Sequence, residues 1–400
     1  AAARTSVLSP KKLLDRLSKR FSLLQSRDQD LSDRQRTLSS AIEWSWGLLE
    51  PWEQDALAQC SVFRGGFLLE AAEEVIDLSD YPDAPMVMDV ITDLKDKSLL
   101  RSWELPELRD ELRFGMYESI RVFATAKRNA RPNPQAIIDR HAEYVVAHAL
   151  DQVSELDGAE SHRAMTALAA ELENLLSAAE RCADERGVEA ILAAGHVLEK
   201  QGPFTRAHDL LDRGVTIARG VSERTCLVKA LHARCRHYLQ LSAFDDVARD
   251  ASEGLALADA LGEQAAVAEF RRLLGELHMK TGNFEEAEHY LTQALELSQT
   301  LGDRTREVDV LYALGNLAFT QGDLSAAQHR FERYQSLTAS HGLEVRTARA
   351  GNVLGWLMQR LGRNQEAEQL YRDTLEAAER FKDIGLQGIV GCNLGALLLQ

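Results

Sequence analysis

The chain has 400 residues, more than one ordinary domain, so two or more are expected. Its apolar fraction of 45% is that of a soluble protein, no apolar run approaches the ~20 residues of a membrane span, and the start, AAARTSVLSPKKLLDRL, lacks the apolar core of a signal peptide. A net charge of −16 argues against whole-chain affinity for nucleic acid. The scattered cysteines Cys60, Cys182, Cys226, Cys235 and Cys392, none in a CxxC pair, argue for a reducing, cytoplasmic setting and against a zinc ribbon or a disulfide framework.

Residues 1–36 hold nine Lys/Arg against four Asp/Glu and read as a solvated amphipathic helical stretch. Arg36–Leu49 is one predicted helix. Pro51 at a first helical position starts another, to about Val62. Leu68–Ile76 is a third, and Pro85–Lys97 a fourth, with Val87, Val90, Ile91 and Leu94 on one face. SLLRSW and ELRFGMY then read as two short strands of a hairpin, and ESIRVFATAKRNA returns to helix. These elements predict a winged-helix domain. Pro132 and Pro134 in NARPNP forbid a continuous helix and mark the domain boundary. Beyond it, PQAIIDRHAEYVVAHALDQV and AMTALAAELENLLSAAERCADERG carry helical apolar stripes.

The second half repeats itself. LLGELHMKTGNFEEAEHYL, ALGNLAFTQGDLSAAQHRF and VLGWLMQRLGRNQEAEQLY begin at Leu273, Ala313 and Val353, an offset of forty each time. Gly275, Gly315, Gly355 and Gly395 fall in register, as do Gly282, Gly322 and Gly362, and Ala287, Ala327 and Ala367. Going backward in steps of forty, Cys235 and Gly195, Ser242 and Gly202, and Val247 and Ala207 hold the same places. Such a period means a solenoid of helix pairs. Gly322-Asp323 breaks each pair, with Asp323 the N-cap, and Gly315 is expected to let the partner helix approach against the small Ala327. The pattern small–x6–Gly–x4–Ala resembles the tetratricopeptide repeat in a forty-residue form, over roughly Val188–Gln400. The terminal proline of that repeat is absent, so longer second helices are expected. The chain ends inside GIVGCNLGALLLQ, a first helix without its second, and is expected to be cut there.

The head region resembles the winged-helix part of bacterial STAND-class regulators, the NB-ARC-related signalling ATPases. The residues that carry this are Thr37-Leu38, Ala41-Ile42-Glu43-Trp44-Ser45, Leu48-Leu49, Pro51, Glu53-Gln54, Ser61-Val62-Phe63 with Gly65-Gly66-Phe67, Asp96-Lys97-Ser98-Leu99-Leu100-Arg101, and Arg113-Phe114 with Met116. The resemblance implies that an ATP- or ADP-binding core lies upstream in a longer parent, and that residues 1–30 are its last helices. No GxxxxGK[ST] loop occurs in these residues, so no cofactor is expected in them. Where relatives offer a histidine to the bound nucleotide, this chain has Met116-Tyr117-Glu118. Tyr117 is thus either a nucleotide-sensing residue or a packed hairpin residue.

The expected fold is mainly α: core helices over 1–30, a winged helix over 31–131, a helical bridge over 135–187, and a tetratricopeptide-type α-solenoid over 188–400. No catalytic motif is found, and His232, Cys235 and His237, flanked by Arg234 and Arg236, read as helix residues rather than a metal site. Within the repeats, counting three before and one after the register glycine places His232, Arg236, Arg272, Glu276, Tyr312, Asn316, Asn352 and Trp356 on the concave face, joined by Phe319. Arginines there suit a carboxylate or phosphate, asparagines a peptide backbone or sugar hydroxyls, and aromatics an apolar face; Trp356 and Phe319 read equally as packing between repeats. The expected function is a non-catalytic sensor and coupling segment of a signal-transduction or transcription regulator. Its array binds an inducer, peptide or protein partner, and its winged helix relays state to an upstream NTPase; an oligomer is compatible with this. A plain interaction scaffold is the alternative. Direct DNA binding is disfavoured because Asp89, Asp93 and Asp96 outnumber Lys95 and Lys97 on the candidate recognition helix.

Overall fold

A computed structural model describes residues 40–400 apart from 157, 159, 382 and 400. The expected helices of 1–30 and the start of the first helix at Arg36 lie outside the described residues. By contacts, the described residues divide into one unit of residues 40–62, 68–103 and 114–137 and a second of residues 63–67, 104–113 and 138–400.

In the first unit a helix over residues 40–47 (α1) precedes α2, Pro51–Cys60. Pro51 sits at the start because its missing N–H is not needed there, and the Glu50 N–H donates to the Glu53 carboxylate at 3.0 Å, closing a capping box. A two-residue strand β1 (Phe67–Leu68) leads into α3 (Leu69–Val75), followed by α4 (Val87–Asp96), whose Val90, Ile91 and Leu94 are fully buried. The hairpin strands are β2 (Arg101–Leu105) and β3 (Leu108–Gly115), and the sheet order is β1-β3-β2. Both strands are displaced from the expected runs. Ser98 takes a left-handed conformation (φ 60°), and the amides of Leu99 and Leu100 turn back to the Leu94 carbonyl, so 98–100 finish α4 instead of starting a strand. Met116 and Tyr117 likewise leave the sheet, with Tyr117 as N-cap of α5 (Glu118–Asn129). The Trp46 ring meets Phe123 edge-on at 5.5 Å beneath the Lys127 ammonium.

The next helix, α6 (Pro134–Ser154), starts at a proline, as the sequence requires. The stripe read across AMTALAAELENLLSAAER is two helices, α7 (Ser161–Ala170) and α8 (Leu172–Arg181), broken at Glu171. The cause is a buried polar cluster within the second unit. Glu171 pairs with Arg113 at 2.7 Å, and Asn174 donates to Glu171 (2.7 Å) and to the Gly66 carbonyl (2.8 Å) while accepting from the Arg64 amide (2.6 Å). Bonds of this kind make burial of these groups tolerable.

The array follows: α9 (Glu185–Gln201), α10 (Phe204–Gly220), α11 (Arg224–Gln240), α12 (Phe244–Leu261), α13 (Gln264–Lys280), α14 (Phe284–Leu301), α15 (Arg304–Gln321), α16 (Leu324–Ser340), α17 (Glu344–Arg360), α18 (Asn364–Arg380) and α19 (Ile384–Leu398). Second helices match the first in length: α13 and α15 have 17 and 18 residues, α14 and α16 have 18 and 17. Left-handed glycines close a helix every twenty residues, at 262, 282, 302, 322, 342 and 362, and Ser242 (φ 58°) holds the equivalent place in an earlier repeat. Asp323 caps α16 by accepting from the Ala326 amide at 2.9 Å.

The register glycines pack differently from the expectation. A Cβ on Gly275, Gly315 or Gly355 would meet Leu291 at 2.6 Å, Phe331 at 2.4 Å or Tyr371 at 2.7 Å. The nearest atoms above each glycine belong to a large side chain sixteen residues on; at Gly275 the carbonyl of Ala287, the counterpart of Ala327, also lies at 3.3 Å. Phe331 and Tyr371 are fully buried in this way, and the glycine supplies the room for the ring.

Candidate functional site

The first helices of the array line a cavity of about 940 Å³ reaching from the end of α9 to the start of α19. Five of the expected residues, His232, Arg236, Arg272, Tyr312 and Asn352, line it. Four do not. Glu276 binds Arg272 from outside the lining, and Asn316 is half-buried. The Phe319 and Trp356 rings stack on each other at 3.9 Å, with Arg360 over Phe319 at 5.8 Å. Phe319 leans on the core cluster of α16–α19, while Trp356 keeps 42% of its surface exposed.

The lining continues toward the helix N-termini instead. Glu269, Asp309 and Arg349 stand six residues before the register glycine, and Arg306 and Arg346 nine before it. The stripe that faces the groove runs at −9, −6 and −3, positions whose spacing keeps them on one helix face. One signal for it was present. Arg306/Arg346 and Glu269/Asp309 are like-charged pairs at the forty-residue offset, which the search for small residues passed over.

Charges in the lining interlock between neighbouring helices. Glu269 is approached by Arg272 at 3.0 Å, by Arg306 of α15 at 3.3 Å and by His232 of α11 at 3.6 Å. Burial alone would raise the Glu269 pKa, but Arg272 and His232 outweigh it and hold the carboxyl well below its usual range. For Arg272, burial is outweighed by Glu276, Glu269 and Asp309, which raise its pKa. Asp309 behaves differently: withdrawal from bulk water raises its pKa against the opposing pull of Arg346 and Arg272. Tyr312 is 38% exposed, with its ring 5.6 Å from Tyr334, whose hydroxyl donates to the Arg346 carbonyl at 3.1 Å. The Asn352 side chain accepts from Asn393 at 2.9 Å. At the other end Arg236 binds Glu199 at 2.6 Å.

His232 and Cys235 diverge: the imidazole lines the groove, whereas the Cys235 thiol is buried and donates to the Val247 carbonyl at 3.8 Å. Burial pushes the Cys235 thiol up. Among the described residues no group of three His, Cys, Asp or Glu could hold a metal ion. In the first unit Tyr117 is exposed, with the Arg101 guanidinium 5.5 Å from its ring centre. Among the described residues no helix is long and apolar enough to cross a membrane.

The stacked helix pairs form an α-solenoid. The tetratricopeptide repeat family matches residues 264–340 and again 347–380. Residues of this chain are similar to a protein of Mycobacterium tuberculosis (strain H37Rv) named as an HTH-type transcriptional regulator, 28% identical over 281 residues, covering 67% of this chain and 31% of that protein. An uncharacterized protein of the same strain is 27% identical over 145 residues, 36% of each chain. The chain thus spans about a third of the length of these curated relatives. Among solved structures, a signal transduction ATPase with numerous domains (STAND) that carries a tetratricopeptide repeat sensor, from Pyrococcus horikoshii, shares the fold. Its TM-score is 0.50 at 14% identity, covering 94% of this chain and 56% of that one.

Proposed function

We propose that this chain is the non-catalytic sensor and coupling segment of a bacterial signalling or transcription regulator of STAND type. The array takes a protein, peptide or small inducer in its groove. Residues 40–131 act as a winged helix that relays the bound state to an NTPase core upstream in a longer parent, where ATP or ADP would bind. The observation that carries the reading is the groove itself: one cavity, lined by charged side chains and an exposed tyrosine from successive first helices. A concave site of this size with convergent polar groups is the default candidate for binding. The similarity to proteins named as regulators supports the regulatory context. Duplex DNA is not the proposed partner, because Asp89, Asp93 and Asp96 are exposed on α4 and would face phosphates.

The test uses the longer parent. ATP turnover is measured with and without fractionated host extract, for the natural protein and for Asn352→Trp, which fills the groove. A response lost on filling the groove supports the reading. A response unchanged by Asn352→Trp refutes the groove, and turnover indifferent to every fraction refutes the relay.

A further inference from the structure

A second cavity, of about 380 Å³, shares no residue with the groove. It lies between the second helices α16 and α18, over the N-terminal half of α17. The preceding repeat shows how such a place is filled elsewhere in the array. Between α14 and α16 the Glu307 carboxylate of α15 is buried, accepting from Gln299 at 3.0 Å, Arg304 at 2.7 Å and Arg333 at 2.6 Å. Forty residues on, Gln299, Glu307 and Arg333 are replaced by Ala339, Thr347 and Asp373, all three in the lining of the cavity. Small side chains thus stand where a buried ion-pair network stood, and the arginine has become a carboxylate. Glu307 and Arg333 touch, so their counterparts Thr347 and Asp373 face each other across a gap that has lost its donor.

We propose that this cavity binds a small organic ammonium, a primary amine on an apolar body about the size of a phenylethyl group, with the ammonium between Asp373 and Thr347. The site lies outside the groove, and the inference does not rest on the groove reading. Among the described residues Asp373 has no cation within ion-pair distance; its Oδ1 accepts from the Gln369 amide at 2.7 Å. The Thr347 hydroxyl donates its proton to the Leu343 carbonyl at 3.0 Å, so it offers only lone pairs to the cavity. Two acceptors, one of them charged, suit an ammonium with its three donors. Arg380, the cation of the lining, holds its guanidinium 4.6 Å from the centre of the Phe381 ring. Ala348, Leu370, Ala377 and Phe381 supply the apolar wall. The deeper Thr338 and Thr374 hydroxyls donate to the Gln335 and Leu370 carbonyls at 2.9 and 2.6 Å, so an apolar body against them strands no donor. The volume falls in the range of small-molecule sites, about 300–1,000 Å³.

Titration calorimetry of the full chain compares 2-phenylethylamine, 2-phenylethanol and 3-phenylpropanoate, one ring carrying three head groups. The expected result is saturable binding of the amine with a Kd below about 1 mM, about tenfold tighter than of the other two, and weakened by salt. Asp373→Asn should cost about tenfold by removing the charge, and Ala339→Gln, which copies the preceding repeat, should cost at least as much by filling the space. Asp373 and Ala339 are exposed, so melting should be kept in both variants. Asn352→Trp, in the groove, should leave amine binding unchanged. Equal affinity for the three probes, tighter binding of the carboxylate, no saturable binding of the amine, or indifference to both Asp373→Asn and Ala339→Gln would overturn the inference. Loss of amine binding in Asn352→Trp would also overturn it, by moving the amine into the groove, and would leave the groove reading standing.

Discussion

Replacing Gly315 by alanine tests the packing rule of the array. Two effects oppose each other. Alanine is favoured over glycine inside a helix by about 1 kcal/mol. Against this, the new Cβ would lie 2.4 Å from one ring carbon of Phe331 and 2.7 Å from two others, where carbons in contact normally sit about 3.5–4.0 Å apart. Phe331 is fully buried, so its ring has no solvent to move into. Overpacking of this kind costs about 1–3 kcal/mol, and contact with three atoms of a rigid ring places Gly315 in the upper half of that range. The expected net loss is about 1–2 kcal/mol. Gly391→Ala in α19 is the control, since nothing lies within 4 Å of its Cβ position; there only the propensity term remains and the change should stabilise by about 1 kcal/mol. Urea unfolding of the full chain reads the sign, and amide exchange in α15 and α16 reads the local effect, because repeats couple mainly to their neighbours. Phe331→Leu should cost less beside Ala at position 315 than beside Gly315, a positive coupling in a double-mutant cycle. Stabilisation by Gly315→Ala equal to that of Gly391→Ala would refute the close approach.

Other expectations follow from single sites. Ser242→Gly should stabilise by about 1 kcal/mol, because a non-glycine residue at φ 58° costs about 1–2 kcal/mol and glycine's unfolded-state entropy returns only part of that; a lowered urea midpoint would refute it. Asn174→Ala should cost about 2–4 kcal/mol, since it leaves the Arg64 amide, the Gly66 carbonyl and Glu171 short of partners, and hydrogen exchange at the Arg64 amide should accelerate most. Arg234→Ala should cost about 3–5 kcal/mol by stripping the buried Asp250 of its 2.6 Å partner, read as a lowered unfolding midpoint; a loss under about 1 kcal/mol would show that Arg249 alone suffices. Burial lowers the His237 pKa in the folded chain, so the unfolded chain takes up a proton near pH 6.5 that the folded chain declines. Stability should therefore fall as pH drops through that value, by up to about 1.4 kcal/mol per unit, and be flat above it; His237→Gln should lessen the slope in unfolding measured between neutral and mildly acid pH.

Much of the array was legible because its signals are local. A helix end needs a left-handed residue, and only glycine takes that conformation without strain, so Gly282, Gly322 and Gly362 announce the turns in any context. Asp323 and Pro51 declare helix starts for equally local reasons. The break at Glu171 was not legible. Its stripe satisfies helical periodicity on both sides, and what interrupts it is Arg113, distant in the chain. The hairpin register was misjudged for a similar reason: Ser98 adopts the left-handed turn that ends α4, and serine carries little signal for it.

The amino-acid sequence by itself determined the period, the helix pairs, the caps and the small positions, since each rests on backbone conformation or on spacing within one helix. Tertiary structure alone decided what fills the space above Gly315, which is the Phe331 ring and not Ala327, because helix spacing along a chain does not fix the angle at which two helices cross. It also decided the groove. His232 and Tyr312 were placed from counting, whereas Glu269, Arg306, Asp309 and Arg349 enter because the lining stripe runs toward the N-terminal halves of the first helices. Asn316 and Trp356 stay outside the cavity, because which stretch of a helix face is left open depends on the neighbouring repeats, and no single repeat's sequence contains that.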